Sequence, residues 1–94
     1  MSRIILTSEA LASVIKNAIL NVEGVKDTFG KNPIKCSFED SVIDVEVNVV
    51  AKFGFDLKKL GENIAEAVKI EVENITPFKV RDVVVIFGDV VYES

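Results

Sequence analysis

Apolar and polar positions along the chain alternate with two different periods. Leu11, Ile15, Ala18, Ile19 and Val22 recur at helical spacing and predict one amphipathic helix. Thr7 stands where an N-cap is wanted, with Leu6 and Leu11 at the two positions of a hydrophobic staple. Gly24 supplies a left-handed close, so the predicted helix runs from Ser8 to about Glu23. Before it, Ile4, Ile5 and Leu6 read as a short apolar lead-in of edge-strand type. After it, Val25 to Pro33 carries Asp27, Gly30, Asn32 and Pro33 and reads as a loop.

The period then changes to two. Ile34, Cys36 and Phe38 predict a short strand, and Glu39, Asp40 and Ser41 a hairpin turn. From Val42 to Phe53, Ile43, Val45, Val47, Val49, Ala51 and Phe53 point one way while Asp44, Glu46, Asn48 and Lys52 point the other. Such a strand has one face in a core and the other in water. Val50 is the apolar exception on the wet side. Gly54 breaks the strand and Asp56 caps a second helix, with Phe55 and Leu60 as its staple. Leu57, Leu60, Ile64, Val68, Val72 and Ile75 form its apolar stripe until Pro77 stops it. A last strand spans Lys79 to Phe87, with Gly88 and Asp89 ending it.

The predicted order is therefore helix, strand, strand, helix, strand, in one domain over residues 1–94. The first two strands form an antiparallel hairpin. The second helix is long enough to cross over, which makes the third strand parallel to the second. The fold class expected is α+β: a two-layer sandwich with a three-stranded mixed sheet and two helices on one face. The strand order stays open.

One segment does not fit one core. Val83, Val84, Val85, Ile86 and Phe87 are consecutive, so apolar side chains emerge from both faces of the last strand. Two helices cover one face only, which leaves Val84 and Ile86, together with Val50, on the uncovered side. Contiguous apolar surface of this kind marks an interaction site. The expectation is a homo-oligomer formed through the face of Val50, Val84 and Ile86. The alternative is that Val90, Val91 and Tyr92 fold back over the patch within one chain.

Composition removes most chemistry. The 94 residues are 49% hydrophobic and 28% charged, with no histidine, no tryptophan and one cysteine. That excludes Ser-His-Asp and Cys-His nucleophilic sites and zinc sites built on His or Cys clusters. Cys36 has no partner for a disulfide, which fits a reducing cytoplasm, and its place among Ile34 and Phe38 makes it a small core hydrophobe. Asp44 and Glu46 share a strand face near Glu39 and Asp40, an oxygen-rich group, yet no calcium-loop spacing accompanies them. They read as a solvated face, as do Glu62, Glu66 and Glu73. Catalytic, cofactor and metal sites are accordingly expected to be none. The five glycines lie too far apart for a phosphate loop or a GXXG clamp. A net charge of −4 argues against nucleic acid and against an anionic membrane surface. Phe53 and Phe55 could pass for a base-stacking pair, but the inward phase of Phe53 favours core packing. No segment has the apolar length of a signal peptide or a membrane span.

Three segments together resemble a known family. Thr7-Ser8-Glu9-Ala10-Leu11 leading to Val22-Glu23-Gly24-Val25, the long strand ending in Phe53-Gly54-Phe55, and Ile75-Thr76-Pro77-Phe78-Lys79-Val80 followed by Val83 and Val85 are similar to the bacterial alkaline shock protein family, also called the Gls envelope stress response family. The resemblance covers nearly the whole chain. It implies a non-enzymatic structural or interaction protein of cell-envelope stress or homeostasis, cytoplasmic, assembling with itself and, in some members, held at the membrane by a membrane-anchored protein partner. The charged terminal extensions common in that family are nearly absent here. The competing class is a small KH-like RNA- or ribosome-associated domain.

Overall fold

A computed structural model gives the arrangement of Ser2 and residues 5–92. Its elements are α1 (Ser8–Leu20), β1 (Val25–Thr28), β2 (Ile34–Glu39), β3 (Val42–Lys52), α2 (Leu57–Ile75) and β4 (Lys79–Val91). The two caps form as the sequence predicts. Thr7 Oγ1 accepts the Ala10 N–H at 3.1 Å, and Asp56 Oδ1 accepts those of Lys58 and Lys59 at 3.0 and 3.3 Å. Each bond satisfies a donor that the first helical turn leaves open. At the far end of α2, the Thr76 hydroxyl donates to Val72 O and accepts the Phe78 N–H, which fixes the turn out of the helix through Pro77.

β3 organises the sheet. β4 runs parallel along one of its edges from Val42↔Lys79 to Lys52↔Val91. β1 and β2 are both antiparallel to β3 and lie end to end along the other edge, opposite residues 49–51 and 42–47. Where β1 gives way to β2, Asn48 O accepts the Phe29 N–H and the Asn48 N–H donates to Pro33 O. The residues between Phe29 and Pro33 bow outward and rejoin the same edge.

Both helices pack on one face of this sheet. The odd residues of β3, Ile43 to Ala51, are buried there with Leu11, Ile15 and Ile19 of α1 and Leu60, Ile64, Val68 and Val72 of α2. The α+β architecture with two helices on one face of a mixed sheet is as the sequence predicts.

Several boundaries differ from the prediction. There are four strands rather than three, because Val25–Thr28, which reads as loop, pairs with the end of β3. Helix α1 stops at Leu20, with Asn21 as C-cap. Gly24 does take positive φ (102°), but in a turn closed by the Val25 N–H on Val22 O. Ile5 and Leu6 are exposed and form no strand; Ile4 lies outside the described residues. β4 continues to Val91, because Gly88 makes a bulge between Phe87 and Asp89 and does not end the strand. Phe53 does not enter the core. The strand ends at Lys52, and Phe53 is 57% exposed, its ring stacked on Tyr92 at 4.2 Å.

Candidate interaction surface

The face of the sheet opposite the helices is formed by the even residues of β3 and their neighbours. Across the β3–β4 register Glu46 stands beside Val84, Asn48 beside Ile86 and Val50 beside Asp89. Val84 and Ile86 are therefore adjacent on one strand and are 46% and 38% exposed. Val50 lies one strand inward and is half-buried. The structure thus brings the three predicted residues to one face, all outside the core that the helices cover.

Phe29 joins them, and sequence reasoning missed it. Its backbone is fixed opposite Asn48, and its ring lies so close over Gly88 that a Cβ there would clash with ring atoms. A loop aromatic crosses the sheet because the bulge glycine leaves room for it. An isolated glycine inside an apolar strand was the available signal, since it marks close approach of another group.

The hairpin end of the same face is charged. Arg81 Nη2 and Nε donate to the two Asp44 carboxylate oxygens at 2.6 and 3.1 Å, and Nη1 reaches Glu39 at 3.4 Å. Lys35 lies 3.9 Å from Glu46. Arg81 occupies the space between Glu39 and Asp44 that a cation would take in the oxygen-rich reading of these residues. The same pairing engages basic groups that an RNA backbone would need. Glu73, expected on the wet face of α2, instead accepts the Val80 N–H at 2.9 Å with its side chain 22% exposed.

The Arg81 hydrogen bonds, reinforced by its charge and by a backbone bond from Asp82, hold the Asp44 carboxyl below the usual carboxylate range. A lowered folded-state pKa stabilises the fold above the unfolded-state value of about 3.9 and loses that contribution as pH falls through the lower folded value. Asp44→Asn should therefore flatten the loss of stability on acidification below about pH 4, read from urea midpoints across a pH series. Because the pair is partly in solvent, the effect at neutral pH is small.

Cys36 sits half-buried on the helix-covered face, and burial pushes its thiol pKa up. It remains a protonated packing group. At the end of the molecule near the start of α1, Leu6, Leu11, Phe38, Ile75, Pro77 and Phe78 line an apolar cleft of about 530 Å³ with no titratable side chain. No helix among the described residues is long and apolar enough to cross a membrane.

Comparison with known proteins supports fold and family. The chain is similar to solved structures of the MamM CTD. A copper form has a TM-score of 0.60 at 17% identity, covering 88% of this chain and 98% of that one. A nickel form has 0.59 at 17%, covering 86% and 96%, and a manganese form 0.60 at 17%, covering 88% and 99%. At that identity the likeness is one of fold. No curated protein sequence matches significantly. The profile of one family, described as having cell envelope-related function, matches residues 26–92, a span holding β2, β3, α2, β4 and all of β1 but its first residue. The chain belongs to the alkaline shock protein 23 family.

Proposed function

We propose that this domain is a non-enzymatic structural and interaction module serving the cell envelope, and that it acts by self-association or partner binding through its helix-free sheet face. The observation that carries the reading is the exposed pair Val84 and Ile86, side by side where no helix covers them. Phe29 and Val50 extend the same surface. A membrane-anchored protein partner of the kind the family resemblance implies would meet the domain on this face.

Magnitudes bound the strength. Full burial of such a side chain is worth about 1.5–3 kcal/mol, and both are already half covered. Two copies sharing Val84 and Ile86 gain about 4 kcal/mol from the remaining area, against about 4–15 kcal/mol of lost rigid-body freedom. Face burial of these side chains gives at best a weak association, and a stable one needs further contacts.

Light scattering on a sizing column tests the reading. Wild type should elute as an oligomer and Ile86→Asp as a folded monomer. If both run as monomers of equal thermal stability, the self-association is wrong.

A further inference from the structure

The free edge of β4 carries a second, more specific signal. In a parallel ladder, alternate residues turn their N–H and C=O toward the same neighbour. Lys79 and Val91 turn theirs to β3: the Lys79 N–H donates to Ser41 O at 2.9 Å, and Val91 O accepts the Phe53 N–H at 2.7 Å. Asp82, Val84, Ile86 and Asp89 likewise stand opposite even-numbered residues of β3, so their backbone groups face inward too. The residues between face away from the sheet.

At the two ends of that outer edge, the donors are already taken by side chains. The Val80 N–H goes to Glu73 Oε2 at 2.9 Å and the Val90 N–H to Asp89 Oδ1 at 2.8 Å. Between them the outward N–H and C=O groups of Val83, Val85 and Phe87 have no hydrogen-bond partner among the described residues. This is an uncharged, β-branched and aromatic edge, of the kind proteins usually blunt or cover. Beside it a groove of about 570 Å³ runs between α2 and β4, bordered by Ile70, which is 53% exposed. The opposite edge of the sheet is interrupted between β1 and β2 and offers no comparable run.

We infer that β4 pairs antiparallel with β4 of a second copy of this chain, centred on Val85, joining two sheets into one. In that register Val85 meets Val85, and Val83 meets Phe87 of the second copy. All three open backbone pairs are then mutually satisfied. Val84 lies beside Ile86 of the second copy, so the exposed apolar pair becomes one strip across both chains. Past Val83 and Phe87 the bulge residues Arg81 and Gly88 interrupt the regular ladder, so Asp82 falls beside Asp89 of the second copy, a like-charge contact at each end that salt screens. A shift of two residues either way leaves one open backbone pair unmatched and sets Asp82 against Ile86 or Asp89 against Val84. The occupied donors at Val80 and Val90 stop the pairing at the same points in both chains. The inference rests on the self-association in the reading above and replaces a stacked-face contact with an edge contact.

The test uses sedimentation of the full chain. Val85→Pro removes an outward N–H and trims a side chain packed against the core, and proline is tolerated on a strand edge. It should fold, judged by circular dichroism, and raise the dimer dissociation constant at least tenfold. A folded Val85→Pro that dimerises like wild type, while Ile86→Asp is monomeric, overturns the edge contact and leaves the face reading standing. A wild type monomeric at every concentration overturns both, as would be found if the edge instead takes an extended peptide. Should Val85→Pro fail to fold, cysteine pairing decides in a Cys36→Ser background. Val84 and Ile86 of the second copy form a closely spaced pair, about 4.5 Å between Cα atoms, within disulfide reach. A Val84→Cys chain mixed with an Ile86→Cys chain should oxidise to a mixed disulfide dimer, while neither links to itself. Self-linking equal to mixed linking, or no linking, overturns the register.

Discussion

Leu60→Ala should lose about 2–5 kcal/mol of folding stability, whereas Leu57→Ala, one turn earlier on the same helix, should lose less than about 1 kcal/mol. The two residues have the same side chain and the same helix, and differ in environment. Leu60 is 2% exposed and belongs to the core between α2 and the sheet, while Leu57 is 37% exposed. Truncating Leu60 removes apolar area from the core and leaves a cavity that its neighbours cannot fully close. It also removes the staple partner of Phe55, with which it lines one small groove at the start of α2. Domains of this size hold about 5–15 kcal/mol in total, so Leu60→Ala approaches unfolding. Urea midpoints of the two variants measure the difference directly. Equal losses would mean that α2 is not docked through the face described.

The second large effect is at Gly24. Its φ of 102° is unfavourable for any side chain, and a Cβ there would stand 2.8 Å from the Phe55 ring. The backbone term is about 1–2 kcal/mol and overpacking adds about 1–3 kcal/mol. Gly24→Ala should therefore cost about 2–5 kcal/mol. Gly30 separates the terms, because its φ is 89° but nothing lies within 4 Å of a Cβ there. Gly30→Ala should cost the backbone term only. If the two alanine variants lose the same stability, the Phe55 contact contributes nothing. Adding Phe55→Ala to Gly24→Ala should recover part of the overpacking term.

β3 was legible in the sequence because one face is buried and the other wet, so apolar residues fill every odd position from Ile43 to Ala51, with Val50 the one apolar residue on the wet side after Val42. The capped, stapled helix starts were legible because they depend on residues within one turn. β1 was not, because Val25–Thr28 holds one buried apolar residue and becomes a strand only by pairing with the distant end of β3. Tertiary pairing decided a segment with no local preference. Gly88 was ambiguous for a related reason. Glycine ends strands and also makes bulges, and which occurs here depends on Phe29, fifty-nine positions away in the chain. Phe53 failed because phase alone was extrapolated past the last paired residue, into a turn set by Gly54 at φ 101°.

The candidate surface divides similarly. Val50, Val84 and Ile86 could be named because an apolar run that violates alternation must expose something. The backbone half of the edge could not be named. Which N–H groups of β4 face outward depends on its register with β3 and on the carboxylates of Glu73 and Asp89, none of which leaves a pattern in the chain.

The central claim is that association runs through the strand β4 layer and not through the helices. Ile86 and Leu20 are each 38% exposed, one on the open sheet face and one at the end of α1. Sedimentation velocity of Ile86→Asp and Leu20→Asp, over a range of concentration, compares equal charges placed at equal exposure on opposite layers. Ile86→Asp should be monomeric and Leu20→Asp should associate like wild type. A monomeric Leu20→Asp beside an unchanged Ile86→Asp would contradict the claim.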